Sequence, residues 1–97
     1  MMRAVRFLPE ALEDLITTQR WYSSREPGLE KDFAEAIEAG IKRILNDPAE
    51  FPCVYGPVRR LVVRRFPYAL YFREVGDEIL VLAVHGRQNP RRWQTRT

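Results

Sequence analysis

The chain has 97 residues, 45% apolar and 30% charged, with a net charge of +3, which fits one ordinary globular domain spanning residues 1–97 and excludes a disordered tail protein. A single cysteine, Cys53, excludes an internal disulfide and cysteine-pair metal sites, so no metal or cofactor is expected. No apolar run nears the ~20 residues of a membrane span, and no secretory signal is visible at the N-terminus; both point to the cytoplasm.

Residues 1–7 read as a short first strand. Pro9 then suits the first turn of a helix, where its missing N–H costs nothing. Glu10, Glu13 and Asp14 place negative charge at the positive end of that helix, as compensation for its dipole. Leu8, Ala11, Leu12, Leu15, Ile16 and Tyr22 follow the i, i+3, i+4 rhythm of an amphipathic helix. Leu8 offers no capping oxygen. Trp21 and Tyr22 read as core or partner contacts. Pro27 and Gly28 make a tight connection to a second helix.

The second helix is the clearest element. Leu29, Phe33, Ala36, Ile37, Gly40, Ile41, Ile44 and Leu45 form one apolar stripe over more than four turns. Gly inside a helix costs ~1 kcal/mol relative to Ala, so Gly40 implies a close approach, expected from the first helix. Asn46, Asp47 and Pro48 stop the helix, and residues 47–57 read as a loop in which Cys53 is a small buried residue.

Three strands follow, at 58–65, 68–75 and 78–85. Phe66 and Pro67 turn the chain between the first two, and Gly76 and Asp77 fit a tight hairpin between the others. The order β-α-α-β-β-β predicts an α+β fold, with a helical hairpin packed on one face of a small, mainly antiparallel sheet. The other face is left for solvent or a partner.

In the last strand, Leu80, Leu82 and Val84 are expected to face the helices, with His85 and Arg87 on the open face. In the strand before it, Ala69, Tyr71 and Arg73 oppose Tyr68, Leu70 and Phe72. In strand 58–65, Arg60 and Arg64 flank Val62 on one side, while Arg59 and Arg65 flank Leu61 and Val63 on the other; parity alone does not choose which pair is exposed.

Charge divides the chain. Residues 51–97 hold nine Arg, no Lys and three acids, a net of +6, whereas residues 1–50 hold seven basic and ten acidic residues, a net of −3. Arg presents a planar fork of donors that fits phosphate or carboxylate oxygens in pairs. The sheet side is therefore expected to meet an anionic nucleic acid or an acidic protein segment, through Arg59, Arg60, Arg64, Arg65 and Arg87. The bland alternative for the four arginines of 59–65 is a solvated edge strand whose charge discourages aggregation.

The element order, VRRLVVRRFPYALYF at 58–72 and ILVLAVHGRQNPRRW at 79–93 together resemble the RelE/ParE superfamily of small toxins from bacterial type II toxin–antitoxin systems. The Phe66-Pro67-Tyr68 turn and the His85-Gly86-Arg87 … Pro90 … Trp93 ending are its specific pieces. The resemblance implies a toxin held in a hetero-oligomer by a cognate antitoxin with an acidic segment. It implies one of two targets: DNA gyrase for ParE-like members, or mRNA on the ribosome for RelE-like nucleases.

RNA cleavage through a 2′-hydroxyl needs a proton acceptor, a proton donor and cations for the phosphorane. RelE-like nucleases supply these with Lys and Arg on the sheet and a Tyr or His near the C-terminus. Arg87 matches the arginine after the last strand. Gln88 stands where many relatives carry a second Arg. Trp93 takes the place of the terminal tyrosine, and Ala69 that of an arginine. His85 has a suitable pKa range but lies within the strand. His85 and Arg87 are thus the candidate catalytic residues of a nuclease, and the incomplete set favours gyrase binding. Trp93 is expected either to contact a partner or to pin the tail to the sheet.

Overall fold

A computed structural model describes residues 3–86 and 93–96. Strand β1 (Ala4–Phe7) leads into helix α1 (Pro9–Arg25), and helix α2 (Leu29–Asn46) follows. Pro9 occupies the first turn of α1, and Leu8 caps it without a side-chain hydrogen bond. Gly28, at φ 95°, forms the N-cap of α2; this left-handed conformation is costly for any residue with a Cβ. A 3₁₀ turn (Pro48–Glu50) and strands β2 (Cys53–Tyr55), β3 (Val58–Val62), β4 (Tyr68–Val75) and β5 (Glu78–Gly86) complete the sheet.

The five strands lie in the order β1-β5-β4-β3-β2. β1 runs parallel to β5, and the other pairs are antiparallel. The α+β architecture is the expected one, with one added strand. β2 arises inside the expected loop: it is short, exposed along its length and paired only to Val58 and Arg59. Such a strand buries nothing, so it leaves no hydrophobic alternation in the sequence. β3 ends at Val62 rather than Arg65, because Val63 N–H bonds Tyr68 O at 2.9 Å and Arg65 turns at φ 70°.

The core lies between the helices and the sheet. Phe33, Ile37 and Ile44 of α2 and Ala11 and Tyr22 of α1 pack on Leu61, Leu70, Phe72 and Val81. Each fully buried large side chain contributes ~1.5–3 kcal/mol. Gly40 is needed for approach to the sheet rather than to α1: a Cβ there would lie 3.0 Å from Leu61 Cδ2 and 3.4 Å from Leu70 Cδ1. Phe66 and Tyr68 of the β3–β4 turn close the core against Tyr22 and Phe33, with ring centroids 5.1–6.2 Å apart. Leu12 and Ile16, counted with the inward stripe, are each 46% exposed.

The inward face of β5 also differs from simple alternation. Tyr71 pairs with Ala83, but Phe72 pairs with Val81. Leu82 is therefore an extra residue in a β-bulge, which resets side-chain parity. Ile79, Val81 and Val84 face the helices. Leu80 and Leu82 instead pack with Val58, Ala69, Tyr71 and Ala83 on the opposite face. That face is not bare, because Trp93 covers it.

Candidate functional site

The four arginines of 59–65 do not converge. Arg59 pairs with Phe72 across the ladder, and its guanidinium donates to Phe51 O at 2.6 Å and to Ala49 O at 3.4 Å. It thereby holds the 3₁₀ segment to the sheet. Arg60 pairs with Tyr71, so it lies on the face away from the helices, partly buried. Arg64 lines a groove of about 180 Å³ between α2 and β3, with Ala36, Gly40 and Arg43. Arg65 is exposed in the turn, 3.8 Å from Asp32 of α2. Arg73 was not singled out from the sequence, yet alternation along β4 places it on the same face as Arg60 and Tyr71.

Trp93 is a pin: it is 1% exposed, stacks on Tyr71 at 4.4 Å and meets Tyr55 edge-on at 5.7 Å. Arg87 lies outside the described residues. Cys53, expected to be buried, is exposed on β2. Of the aromatic pair ending α1, Tyr22 is buried while Trp21 is 48% exposed, with Arg25 over its ring at 4.8 Å.

His85 belongs to a compact polar cluster. Its Nε2 lies 3.1 Å from Asp14 Oδ2, and the same carboxylate accepts from Arg96 at 2.7 Å and from Val84 N–H at 3.1 Å. Arg96 also donates to Leu82 O at 3.0 Å. The reason is topological. β1 covers the edge of β5 only as far as Val81, where Leu8 N–H makes the last bridging bond. Beyond that point, β5 has open backbone groups that must find partners if buried. Asp14 supplies an acceptor for Val84 N–H, and Arg96 a donor for Leu82 O.

Burial alone would push the Asp14 carboxyl up. Hydrogen bonds from His85, Arg96 and Val84, with the charge of His85, outweigh it and hold the group below the usual carboxylate range. On α1, burial together with the neighbouring Tyr68 raises the Tyr22 phenol.

The cluster floors an open cleft of about 490 Å³, rimmed by Glu10, Glu13, Thr17, Tyr68 and Gly86. His85 is 91% withdrawn from solvent, and its Nδ1 is buried without a partner. With Nε2 engaged by Asp14, neither ring nitrogen is presented to a substrate. Among the described residues, no group of three or more His, Cys, Asp or Glu could hold a metal ion, and no helix is long and apolar enough to cross a membrane.

A family model described as "ParE toxin of type II toxin-antitoxin system, parDE" matches residues 5–90. The chain belongs to the ParE toxin family. Among solved structures, it resembles a chain titled "Chromosomal ParDE TA system from P. aeruginosa", at TM-score 0.77 and 22% identity, covering 88% of this chain and 96% of that one. That likeness carries the fold. No curated protein matched the sequence.

Within this ParE fold, the Asp14–Arg96 lock joins α1 to a turn, Gln94–Arg96, that lies beyond the matched span. Asp14 does more than compensate the helix dipole: it is the acceptor for Arg96 and Val84 N–H. A signal for its real role was present: Ala11, Asp14, Thr18 and Tyr22 recur at helical spacing, and the other three are all buried. A carboxylate on a buried stripe requires a partner. Arg96 carried no such signal, since its approach to Asp14 depends on how the tail returns to the sheet.

Proposed function

We propose that this protein is the growth-inhibiting component of a toxin–antitoxin pair, that it acts in the cytoplasm by binding DNA gyrase rather than by cutting RNA, and that a cognate antitoxin restrains it in a hetero-oligomer. The family assignment supports the toxin role. The observation that carries the choice of target is the state of His85: the one histidine of the chain is buried and engaged by Asp14. General acid–base catalysis needs a titrating group within hydrogen-bond reach of the substrate, and this one is turned into the fold. Trp93, at the place of the nuclease tyrosine, is stacked under cover and has no titratable proton. The exposed Leu12 and Ile16 of α1, with the apolar groove of Phe7, Leu15, Ile37 and Ile41 between the helices, offer a partner segment apolar surface beside charge.

The test is induced expression with two biochemical readouts. The expected result is growth arrest with loss of gyrase supercoiling by the purified protein and intact mRNA on ribosomes. Ribosome-dependent mRNA cleavage that is lost in His85→Ala or Arg87→Ala would overturn the gyrase reading in favour of a nuclease. Absence of any growth effect would leave a degenerate member that only binds its antitoxin.

A further inference from the structure

Two arginines on the face away from the helices lack a counter-charge among the described residues. Arg60 sits opposite Tyr71, and Arg73 lies two residues further along β4. This diagonal places their Cα atoms roughly 7–8 Å apart on one face. Both are partly buried, and Arg73 Nε is fully buried with no acceptor. Six other described arginines have polar partners, whereas Arg20 and Arg64 are exposed to water. Arg3, Arg6, Arg43, Arg65 and Arg96 each have a carboxylate within 4.0 Å, and Arg59 has backbone carbonyls. A guanidinium cannot shed its proton to escape burial, so the buried, unpaired Arg73 Nε is destabilising in the free protein.

We infer that Arg60 and Arg73 form an anion site that grips a carboxylate of an acidic, aliphatic segment from a partner protein; under the function proposed above, that partner is the antitoxin. The surroundings select this occupant over a nucleic acid. Val62, two residues from Arg60 and on the same face, is 37% exposed, and Tyr55 on the adjacent strand is 46% exposed. An extended segment with an acid and an aliphatic residue at alternate positions matches the spacing of Arg60 and Val62, because both chains repeat every two residues. A single-stranded nucleic acid would want several open aromatic faces for successive bases; here Trp93 and Tyr71 are stacked on each other, which leaves Tyr55 as the exposed ring on this surface among the described residues.

The test is titration of the full chain with three probes: an N-acetylated octapeptide alternating Glu and Leu, its Gln/Leu counterpart, and a twelve-residue oligothymidylate. The Glu/Leu peptide is expected to bind at least tenfold more tightly than the other two. Arg60→Gln and Arg73→Gln should each weaken it at least tenfold, consistent with charge-assisted hydrogen bonds. Arg73→Lys, which keeps the charge and loses the fork, should fall between. The melting temperature of Arg73→Gln should hold or rise, which separates loss of the site from loss of the fold. Equal binding of the Glu and Gln peptides, unchanged binding by both Gln variants, or tighter arginine-dependent binding of the oligonucleotide would each overturn the site. Growth arrest is scored separately. Arginine-dependent peptide binding without arrest removes the toxin reading and keeps the site; arrest without such binding does the reverse.

Discussion

Replacing Asp14 with alanine should be among the most damaging single changes on the surface of α1. The carboxylate is 15% exposed and accepts from Arg96 and Val84, with His85 Nε2 at 3.1 Å. Removing it leaves the Arg96 guanidinium, 13% exposed, and the Val84 N–H without their acceptor. Breaking a buried pair from one side costs ~3–5 kcal/mol; the residual exposure argues for the lower figure, about 3 kcal/mol. Against a total stability of ~5–15 kcal/mol, that is a large share, and it corresponds to a fall in Tm of roughly 12–24 °C for a domain of this size. Urea or thermal melts of wild type, Asp14→Ala, Arg96→Ala and the double variant measure it. The double variant should be less destabilised than the sum of the singles by ~1 kcal/mol or more.

The pH dependence carries a definite sign. The folded-state pKa of Asp14 is held below its usual value. Its contribution is therefore complete above the ordinary carboxylate range and is lost as the pH falls through the lower folded value. The gap between wild type and Asp14→Ala should be constant near about pH 7 and should shrink toward about pH 2. A loss under ~1 kcal/mol at neutral pH, additive single variants, or a gap that widens in acid would refute the lock.

Trp93→Ala should cost ~3–5 kcal/mol and erase the near-ultraviolet circular dichroism of the Tyr71 stack; a loss below ~1 kcal/mol would mean that the face is held by other contacts. Gly40→Val should destabilise by ~1–3 kcal/mol through overpacking against Leu61 and Leu70, as read in denaturant midpoints. An unchanged midpoint would show that those side chains yield freely.

Periodicity in the sequence was enough for the helices, because α2 carries a long apolar stripe and each turn of it buries a residue. The three long strands were legible for the same reason, and the Phe66-Pro67-Tyr68 turn marked the place where the chain reverses. β2 left no trace, since Cys53, Val54 and Tyr55 are exposed and bury little; the edge contact of Tyr55 with Trp93 is made with a residue 38 positions away. The inward set of β5 departs from simple alternation because one inserted residue, Leu82, reverses parity, and a bulge depends on the partner strand rather than on the strand's own sequence. The arginine-rich segment was visible as composition, but its four members serve different places. One ties a loop, one faces away from the helices, one borders a groove beside α2, and one lies near Asp32 of α2.

The sequence by itself determined the helical hairpin, the antiparallel strands, the resemblance to toxins of this superfamily and the excess of arginine over acid in the second half. Those properties follow from local spacing and from charge, which a linear chain displays directly. Tertiary structure alone decided which of the described arginines lack a counter-charge, that His85 is engaged and buried, and that Asp14 and Arg96, 82 positions apart, close the open edge of β5. Each depends on distances between segments remote in the chain, set by the register of the sheet and by where β1 stops.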